Sequence, residues 1–375
     1  MESKFNYFLF FVVTFLLGFS FLFFACLSSS ASLQRFGNTN YYLFHQLFFG
    51  LLPGIIGGII AYKISLKWLK KWSPLLVLLN FAALFIVFMP GIGMKIYGAS
   101  RWIHLGGFTI QPSEFLKITA ILYLSAWIAS KLSDENASDW KAITKKGYHN
   151  VVYIFFPFLI FLGLLFVALY FQRDASTLGI IALTLLAMYF SAKTPVWHTI
   201  VIIAGGLGLL LFMVRFEAYR LQRWLIFLDP NADPLGTGYQ LRQSLISLGS
   251  GGIFGNGLGM SVQKFNFLPQ AMSDSIFGII GEEIGALGCI ALIALFILFF
   301  WLGLQIAKNS DDRFSKLTAI GIVFWITLQA FINISSVAGI FPLAGIPLPF
   351  FSYGGSHLLA ELIGVGLLLN ISKNT

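Results

Sequence analysis

Ten continuous apolar stretches dominate this chain and leave few folds open to it. They lie at about 6–28, 42–62, 74–90, 113–130, 151–171, 177–192, 196–214, 275–304, 316–340 and 354–371. A helix crossing the hydrocarbon core needs roughly 20 apolar residues. In lipid, only helices and closed barrels pair all their backbone groups, and the runs are unbroken rather than alternating. Composition agrees: 10% of the 375 residues are charged, against about 25% in a soluble domain. So few charges could not cover a water-soluble surface of this size. A cytosolic enzyme, a disulfide scaffold and a disordered chain are therefore excluded. The expected fold class is all-α, a polytopic integral membrane protein of about ten transmembrane helices, with residues 1–375 forming one membrane domain.

The first stretch ends in Ser28, Ser29, Ser30 and Ala31, which resembles a signal-peptide cleavage region. Its apolar part is longer than an h-region of roughly 7–15 residues, so it reads as a retained span. Cys26 and Cys289 lie inside apolar runs and are expected to be packing residues. The net charge of +9 has a topological meaning here. No basic block of nucleic-acid type occurs, and nucleic acid is not an expected partner.

Lysine and arginine placement orients the spans. With the N-terminus inside, the cytoplasmic segments hold 14 of the 24 basic residues and the short external segments hold 4, namely Arg35, Lys95, Arg101 and Arg173. The positive-inside rule then puts both termini in the cytoplasm. The segment 215–272 becomes one large external loop, rich in glycine and carrying Asp-Pro at 229–230 and 233–234. Loops of that length tend to be functional.

Six of the 15 acids lie in or at the ends of predicted spans: Glu114, Asp174, Asp274, Glu282, Glu283 and Glu361. Ionisable groups at membrane depth are costly and are functional candidates by default. Glu114 and Lys117 share a helix face; they form either a neutralised pair or the polar lining of a cavity that holds anionic substrate through Lys117. Asp174 suits an N-cap for the sixth span. Asp274 opens the eighth span, either as a helix-start carboxylate or as a group that handles a phosphate-bearing lipid together with Arg101, Arg223, Arg242 and Lys264. Glu282 and Glu283 point about 100° apart, so at least one should face a cavity or a neighbouring helix. Glu361 follows His357 by four residues and is expected to pair with it. The histidines show no metal spacing. Three prolines in 339–356 stop any helix, and this apolar, non-helical stretch is expected either to dip back beside a cavity or to form a rigid external turn.

Five ordered motifs complete the reading. They are Gly98–Ile103 with Gln111–Lys117; Gln172–Thr177; Tyr219–Leu221 through Phe227–Pro230 with Gly238–Gln240 and Gln243–Leu245; Gly251–Gly259 with Gln263, Lys264, Leu268, Pro269, Asp274, Glu282 and Glu283; and Pro347–Ser356. Together they resemble the SEDS family (shape, elongation, division and sporulation) over nearly the whole chain, and lean towards its division branch rather than its elongation branch. The sequence departs from the family pattern at Arg173 and Ala175, and at Met272, Ser273 and Ser275 around the aspartate.

The resemblance implies a peptidoglycan glycosyltransferase of the bacterial plasma membrane. It would polymerise lipid II beside a class B penicillin-binding protein transpeptidase and other divisome membrane proteins, in contact with membrane lipid. Asp274 would be the catalytic base in an inverting transfer. Arg101, Glu114, Lys117, Arg223, Gln240, Lys264 and Ser352 would contact substrate. No organic cofactor is expected; a divalent cation, Mg or Mn, is one candidate for neutralising the departing pyrophosphate, with the basic side chains as the other. A lipid II flippase, an elongation polymerase and a non-catalytic scaffold are the rival readings.

Overall fold

The computed structural model describes residues 6–96, 99–105, 108–131, 150–192, 194–216, 218–229, 233, 236 and 238–373. Lys4, Lys193, the charges at 134–146, Gly98, Gly106, Gly107, Pro230 and Pro234 lie outside the described residues, as do the side chains of Tyr219 and Arg220. All ten expected spans are helices: α1 (Tyr7–Phe36), α2 (Tyr41–Lys63), α3 (Leu66–Ile86), α4 (Pro112–Lys131), α5 (Val151–Phe171), α6 (Ala175–Ser191), α7 (Val196–Phe216), α10 (Ile276–Asn309), α11 (Arg313–Val337) and α12 (Gly355–Ser372). The protein is a multi-pass membrane protein. Among the described residues, seven helices are long and apolar enough to span by themselves. Helix α4 is diluted by Glu114 and Lys117, and the apolar cores of α6 and α7 are shorter.

Several expectations are corrected. The third span starts at Leu66, not 74, because Lys67, Lys70 and Lys71 join its first turns, where long basic side chains reach the interface. Helix α1 runs through Ser28–Ala31, and Ser32 Oγ accepts from Tyr42 N at 3.2 Å. The segment 215–272 is not one loop, for it contains α8 (Ala218–Leu228) and α9 (Tyr239–Ser250). Nor is the fold wholly helical. Residues 93–110 form a three-stranded antiparallel sheet, β1 (Gly93–Ile96), β2 (Ala99–Leu105) and β3 (Phe108–Ile110), with a register shift between Met94 and Lys95.

Ten spans alternate direction, so the sheet, α8–α9 and the 338–354 connection emerge on one side. Contacts join them there: Ser356 Oγ donates to Thr109 O at 3.2 Å, and Ser176 Oγ donates to Ala344 O. Helices α11 and α12 form the centre, with 78% of their apolar windows buried, against 17–39% in the other five long spans. Close packing of α2 on α12 depends on small residues. A Cβ at Gly54 would lie 2.5 Å from Leu362 Cδ1, and one at Gly366 would lie 2.2 Å from Gly58 O.

Helix α10 is broken at Gly285 (φ 67°, ψ −171°). In a continuous helix, the carbonyls of Glu282 and Glu283 would accept from Ala286 and Leu287 N–H. The glycine-rich loop after α9 inserts here and exchanges partners with the break. Asn256 N and Gly257 N donate to Glu282 O and Glu283 O, both at 3.0 Å; Ala286 N and Leu287 N donate to Gly252 O and Ile253 O at 2.9 and 3.2 Å. A Cβ at Gly285 would lie 2.3 Å from Gly255 N, in a conformation that side chains rarely adopt. Gly285→Ala is expected to cost about 1–3 kcal/mol and to lower the thermal unfolding midpoint in detergent; an unchanged midpoint would show that the loop does not hold the break.

Candidate functional site

Residues 338–354 cannot form a helix, yet Ile346, Leu348, Phe350 and Phe351 are buried. Buried peptide groups need partners, and side chains from several helices supply them. Glu361 accepts from Phe350 N at 2.8 Å, and Ser20 donates to Phe350 O at 2.6 Å. Phe350 itself holds a left-handed φ of 67°. Gln329 donates to Pro347 O at 3.0 Å, and Asn333 donates to Ile346 O at 2.7 Å. Gln46 accepts from Gly354 N at 3.0 Å. The connection is therefore a fixed, largely buried platform at the end of the bundle.

Asp274 lies against this platform, two residues before α10. Tyr353 N donates to Met272 O at 2.7 Å, and Ser352 Oγ donates to Ser273 O at 2.5 Å while accepting from Leu348 N at 2.7 Å. Asn333 Nδ2 reaches Asp274 O at 2.8 Å. The carboxylate is half-buried, and Ser273 Oγ donates to its Oδ1 at 2.9 Å. Gln240, from the first turn of α9, donates to Ser275 Oγ at 3.0 Å and lies in hydrogen-bond reach of the carboxylate. Arg223, from α8, is held by Leu343 O at 2.7 Å. Gly345 (φ 61°) separates the two charges: a Cβ there would lie 3.6 Å from Asp274 Oδ2 and 3.7 Å from both Arg223 terminal nitrogens. Burial pushes the Asp274 carboxyl above its ordinary value; the Ser273 hydrogen bond, the Arg223 charge and Gln240 oppose that shift. Beside Arg223 is a small gap of about 10 Å³ lined by Ile226, Phe227, Leu241 and Leu343.

Four of the sequence-predicted residues thus come together: Asp274, Arg223, Gln240 and Ser352. The departures Ser273 and Ser275 lie on either side of Asp274; Ser273 donates to its carboxylate and Ser275 accepts from Gln240. The other predicted residues are elsewhere. Arg101 is 3.9 Å from Asp174 Oδ1 and also donates to the carbonyls of Gln172 and Arg173. Asp174 caps α6 through Thr177 N, as expected, and accepts from Ser113. Lys117 is buried, 2.7 Å from Glu114, 2.9 Å from Gln329 Oε1 and 5.1 Å from the Trp325 ring centre. The pair is buried and neutralised, and Lys117 also lines a small gap together with Ile121, Ile181, Thr184, Leu185 and Trp325. Lys264 is buried 3.6 Å from Glu283 and donates to Gly259 O. Glu282 accepts from Ser261 Oγ at 2.5 Å and Val262 N at 2.9 Å, so both adjacent acids anchor the glycine loop.

Glu361 does not pair with His357, because its carboxylate is taken by the platform at Phe350. Gln46, Gln329 and Asn333 carry the geometry of the site and were missed in the sequence. The available signal was the spacing of Gln329 and Asn333, polar residues four apart on one face of an apolar span. Glu361→Leu leaves the buried Phe350 N–H without its acceptor. It should cost about 1–3 kcal/mol in a thermal unfolding measurement, whereas Glu361→Gln, which keeps an acceptor oxygen, should remain close to the parent; equal losses from both would remove the Phe350 bond as the cause.

The family model described as "Cell cycle protein", which covers FtsW, RodA and SpoVE, matches residues 7–375. A probable peptidoglycan glycosyltransferase FtsW of Trichlorobacter lovleyi is 36% identical over 348 residues, covering 92% of this chain and 87% of that protein. Stage V sporulation protein E of Bacillus subtilis is 38% identical over 305 residues, covering 81% and 80%. Among solved structures, a chain of a peptidoglycan synthase complex aligns with a TM-score of 0.73 at 23% identity, covering 98% of both chains. The rod shape determining protein RodA of Thermus thermophilus aligns with a TM-score of 0.66 at 20% identity, covering 98% of this chain and 97% of that one. The structural likenesses establish a shared fold; the family match over almost every residue, with relatives above 30% identity, establishes that the chain belongs to the FtsW/RodA/SpoVE family, the SEDS proteins.

Proposed function

We propose that this protein is a peptidoglycan glycosyltransferase that polymerises lipid II into glycan strands during septal wall synthesis. The observation that carries the reading is Asp274, a half-buried carboxylate facing Arg223 across Gly345, with the apolar side chains of Ile226, Phe227, Leu241 and Leu343 beside that arginine. A carboxylate, a cation and an apolar wall suit a substrate that combines a sugar hydroxyl, a pyrophosphate and a polyprenyl tail. The relatives named FtsW support the activity, and the lean of the motifs towards the division branch favours a septal role over elongation.

In this mechanism the growing strand, linked to undecaprenyl pyrophosphate, is the donor. Asp274 removes the proton of the GlcNAc 4-hydroxyl of lipid II as that oxygen attacks the anomeric carbon. The bond to pyrophosphate breaks and the configuration inverts. Pyrophosphate departs as a stabilised anion and needs charge neutralisation more than a proton. Arg223 is placed for that task. Lys117, buried against Glu114, would act indirectly, and Arg101 would hold the sheet on α6 beside the platform.

Among the described residues, no three His, Cys, Asp or Glu side chains converge on a metal site. A Mg or Mn ion at Asp274 would have one protein carboxylate and would take its remaining ligands from substrate and water, an arrangement common for Mg.

The proposed setting is the bacterial plasma membrane, with both termini cytoplasmic and Asp274 on the outer face. The proposed partner is a class B penicillin-binding protein, supported by the fold shared with a chain of a peptidoglycan synthase complex.

Asp274→Asn is expected to insert and fold normally while losing about 100-fold or more of its lipid II polymerisation in a purified assay. Substantial glycan product from that variant would overturn the assignment. Polymer made in detergent, where there are no leaflets, separates a polymerase from a flippase. The activity of the parent should also show an acid limb. A base works deprotonated, and burial raises the Asp274 carboxyl above its ordinary 3.8, so the rate should fall at a higher pH than a free aspartate would dictate. Arg223→Gln removes a cation that favours the charged carboxylate, and should move this limb to still higher pH while lowering kcat/KM. An unmoved limb would separate Arg223 from the Asp274 charge.

A further inference from the structure

Two amides on α11 hold the platform, Gln329 linking it to the buried ion pair and Asn333 linking it to the Asp274 turn. Gln329 Oε1 accepts from Lys117 Nζ at 2.9 Å and from Trp325 Nε1 at 3.0 Å, while its Nε2 donates to Pro347 O at 3.0 Å. One turn further on, Asn333 Nδ2 bridges two carbonyls, Asp274 O at 2.8 Å and Ile346 O at 2.7 Å. Both side chains are buried. Prolines at 347 and 349 deprive this stretch of local backbone donors, so the carbonyls of Ile346 and Pro347 take their recorded hydrogen bonds from α11. Gly345, between Asp274 and Arg223, directly precedes them.

We infer that Gln329 and Asn333 are positioning residues. They fix the backbone 345–347 against the Asp274 turn, so that the Glu114–Lys117 pair, through Gln329, and the rigid α11, through Asn333, set the spacing between Asp274 and Arg223. The inference rests on the reading of Asp274 as the base.

Asn333 holds one backbone atom on each side of the gap between the platform and the Asp274 turn, so its two bonds act as a clasp. Gln329 is already ordered by three partners, and little further side-chain entropy is lost in holding Pro347. A shift of about 1 Å at a reacting carboxylate is enough to cost a large factor in rate without changing how tightly the remote parts of the substrate bind. Such residues are therefore expected to act on kcat and to leave KM largely alone.

The test uses the purified full-length protein with its transpeptidase partner and lipid II. Activity is normalised to the fraction that elutes as a single folded species, and the parent is compared with Asn333→Leu, Gln329→Met, the double variant and Asp274→Asn. Leucine and methionine approximate the shapes of the amides they replace but cannot hydrogen-bond the carbonyls. Each single variant should lower kcat by about tenfold or more, with KM for lipid II within about threefold of the parent. The double variant should be no worse than about threefold below the poorer single, because both act on one strand. If Asn333→Leu does not accumulate, Asn333→Ser, which shortens the side chain and breaks the clasp without adding bulk, takes its place. Parental kcat in both single variants, or a change confined to KM, overturns the positioning role while leaving the base assignment intact, provided Asp274→Asn is inactive. An active Asp274→Asn overturns the assignment of the base itself.

Discussion

The structure depends on one constraint: a stretch of backbone with no helix is buried at the end of a helical bundle. Residues 342–350 contain three prolines, so they cannot pair internally. An unpaired peptide group away from water costs as much as a lost hydrogen bond or more. Ser20, Gln329, Asn333 and Glu361 therefore reach in from three helices, some far apart in sequence, to the platform peptides. Satisfying one connection draws α1, α11 and α12 to a common point. The polar side chains in these otherwise apolar spans have a structural reason to be there, which accounts for their cost at membrane depth.

The same requirement is met in a second way at Gly285. There the glycine loop supplies backbone rather than side chains, and its N–H and C=O groups replace those of the interrupted helix. Glu282 and Glu283 then hold the loop in place through Ser261, Val262 and Lys264. Irregular backbone at membrane depth needs its polar groups paired within the protein; the platform is buried, and at Gly285 the loop pairs the freed groups while its Ile253 and Phe254 side chains face outward. The two breaks also flank the segment that carries Asp274, one packing against the middle of α10 and the other against the turn that precedes it. The carboxylate is thus placed by two rigid elements and not by a mobile loop.

How much of this was legible in the sequence follows from the range of each interaction. Hydropathy is local and strong, so all ten spans could be read; the two large boundary errors, at Phe36 and Leu66, arose where polar residues extend an apolar helix, serines at the end of α1 and lysines at the start of α3. The sheet at 93–110 was not legible, because its short strands carry no clear alternation beside a longer apolar pattern. Asp174 as an N-cap was readable because capping acts over three residues. The fate of Glu361 was not. His357 is four residues away and is the natural local partner, yet the acceptor is needed at Phe350, whose left-handed backbone only the folded platform imposes. Lys264 read as a free cation for the same reason, and the second partner of Lys117 could not be foreseen. Their partners Glu283 and Gln329 lie at sequence separations where spacing says nothing.

The two serines that depart from the family pattern follow the same logic at the site itself. A base must be desolvated enough to hold a proton in transit, yet charged when the acceptor arrives. Burial works against the charge on Asp274, and Arg223, Gln240 and the Ser273 hydroxyl restore it. Ser273 has one hydroxyl proton, and both Asp274 Oδ1 and Gln270 Oε1 lie 2.9 Å from its oxygen. Donation to one excludes donation to the other. Ser275 presents its oxygen to Gln240 and so fixes the amide that also lies within reach of the carboxylate. The charge on Asp274 is balanced by donors from α8, α9 and its own turn rather than by a single partner, and a balance of that kind is sensitive to Ångström-scale movement of the platform that keeps Arg223 and Asp274 apart.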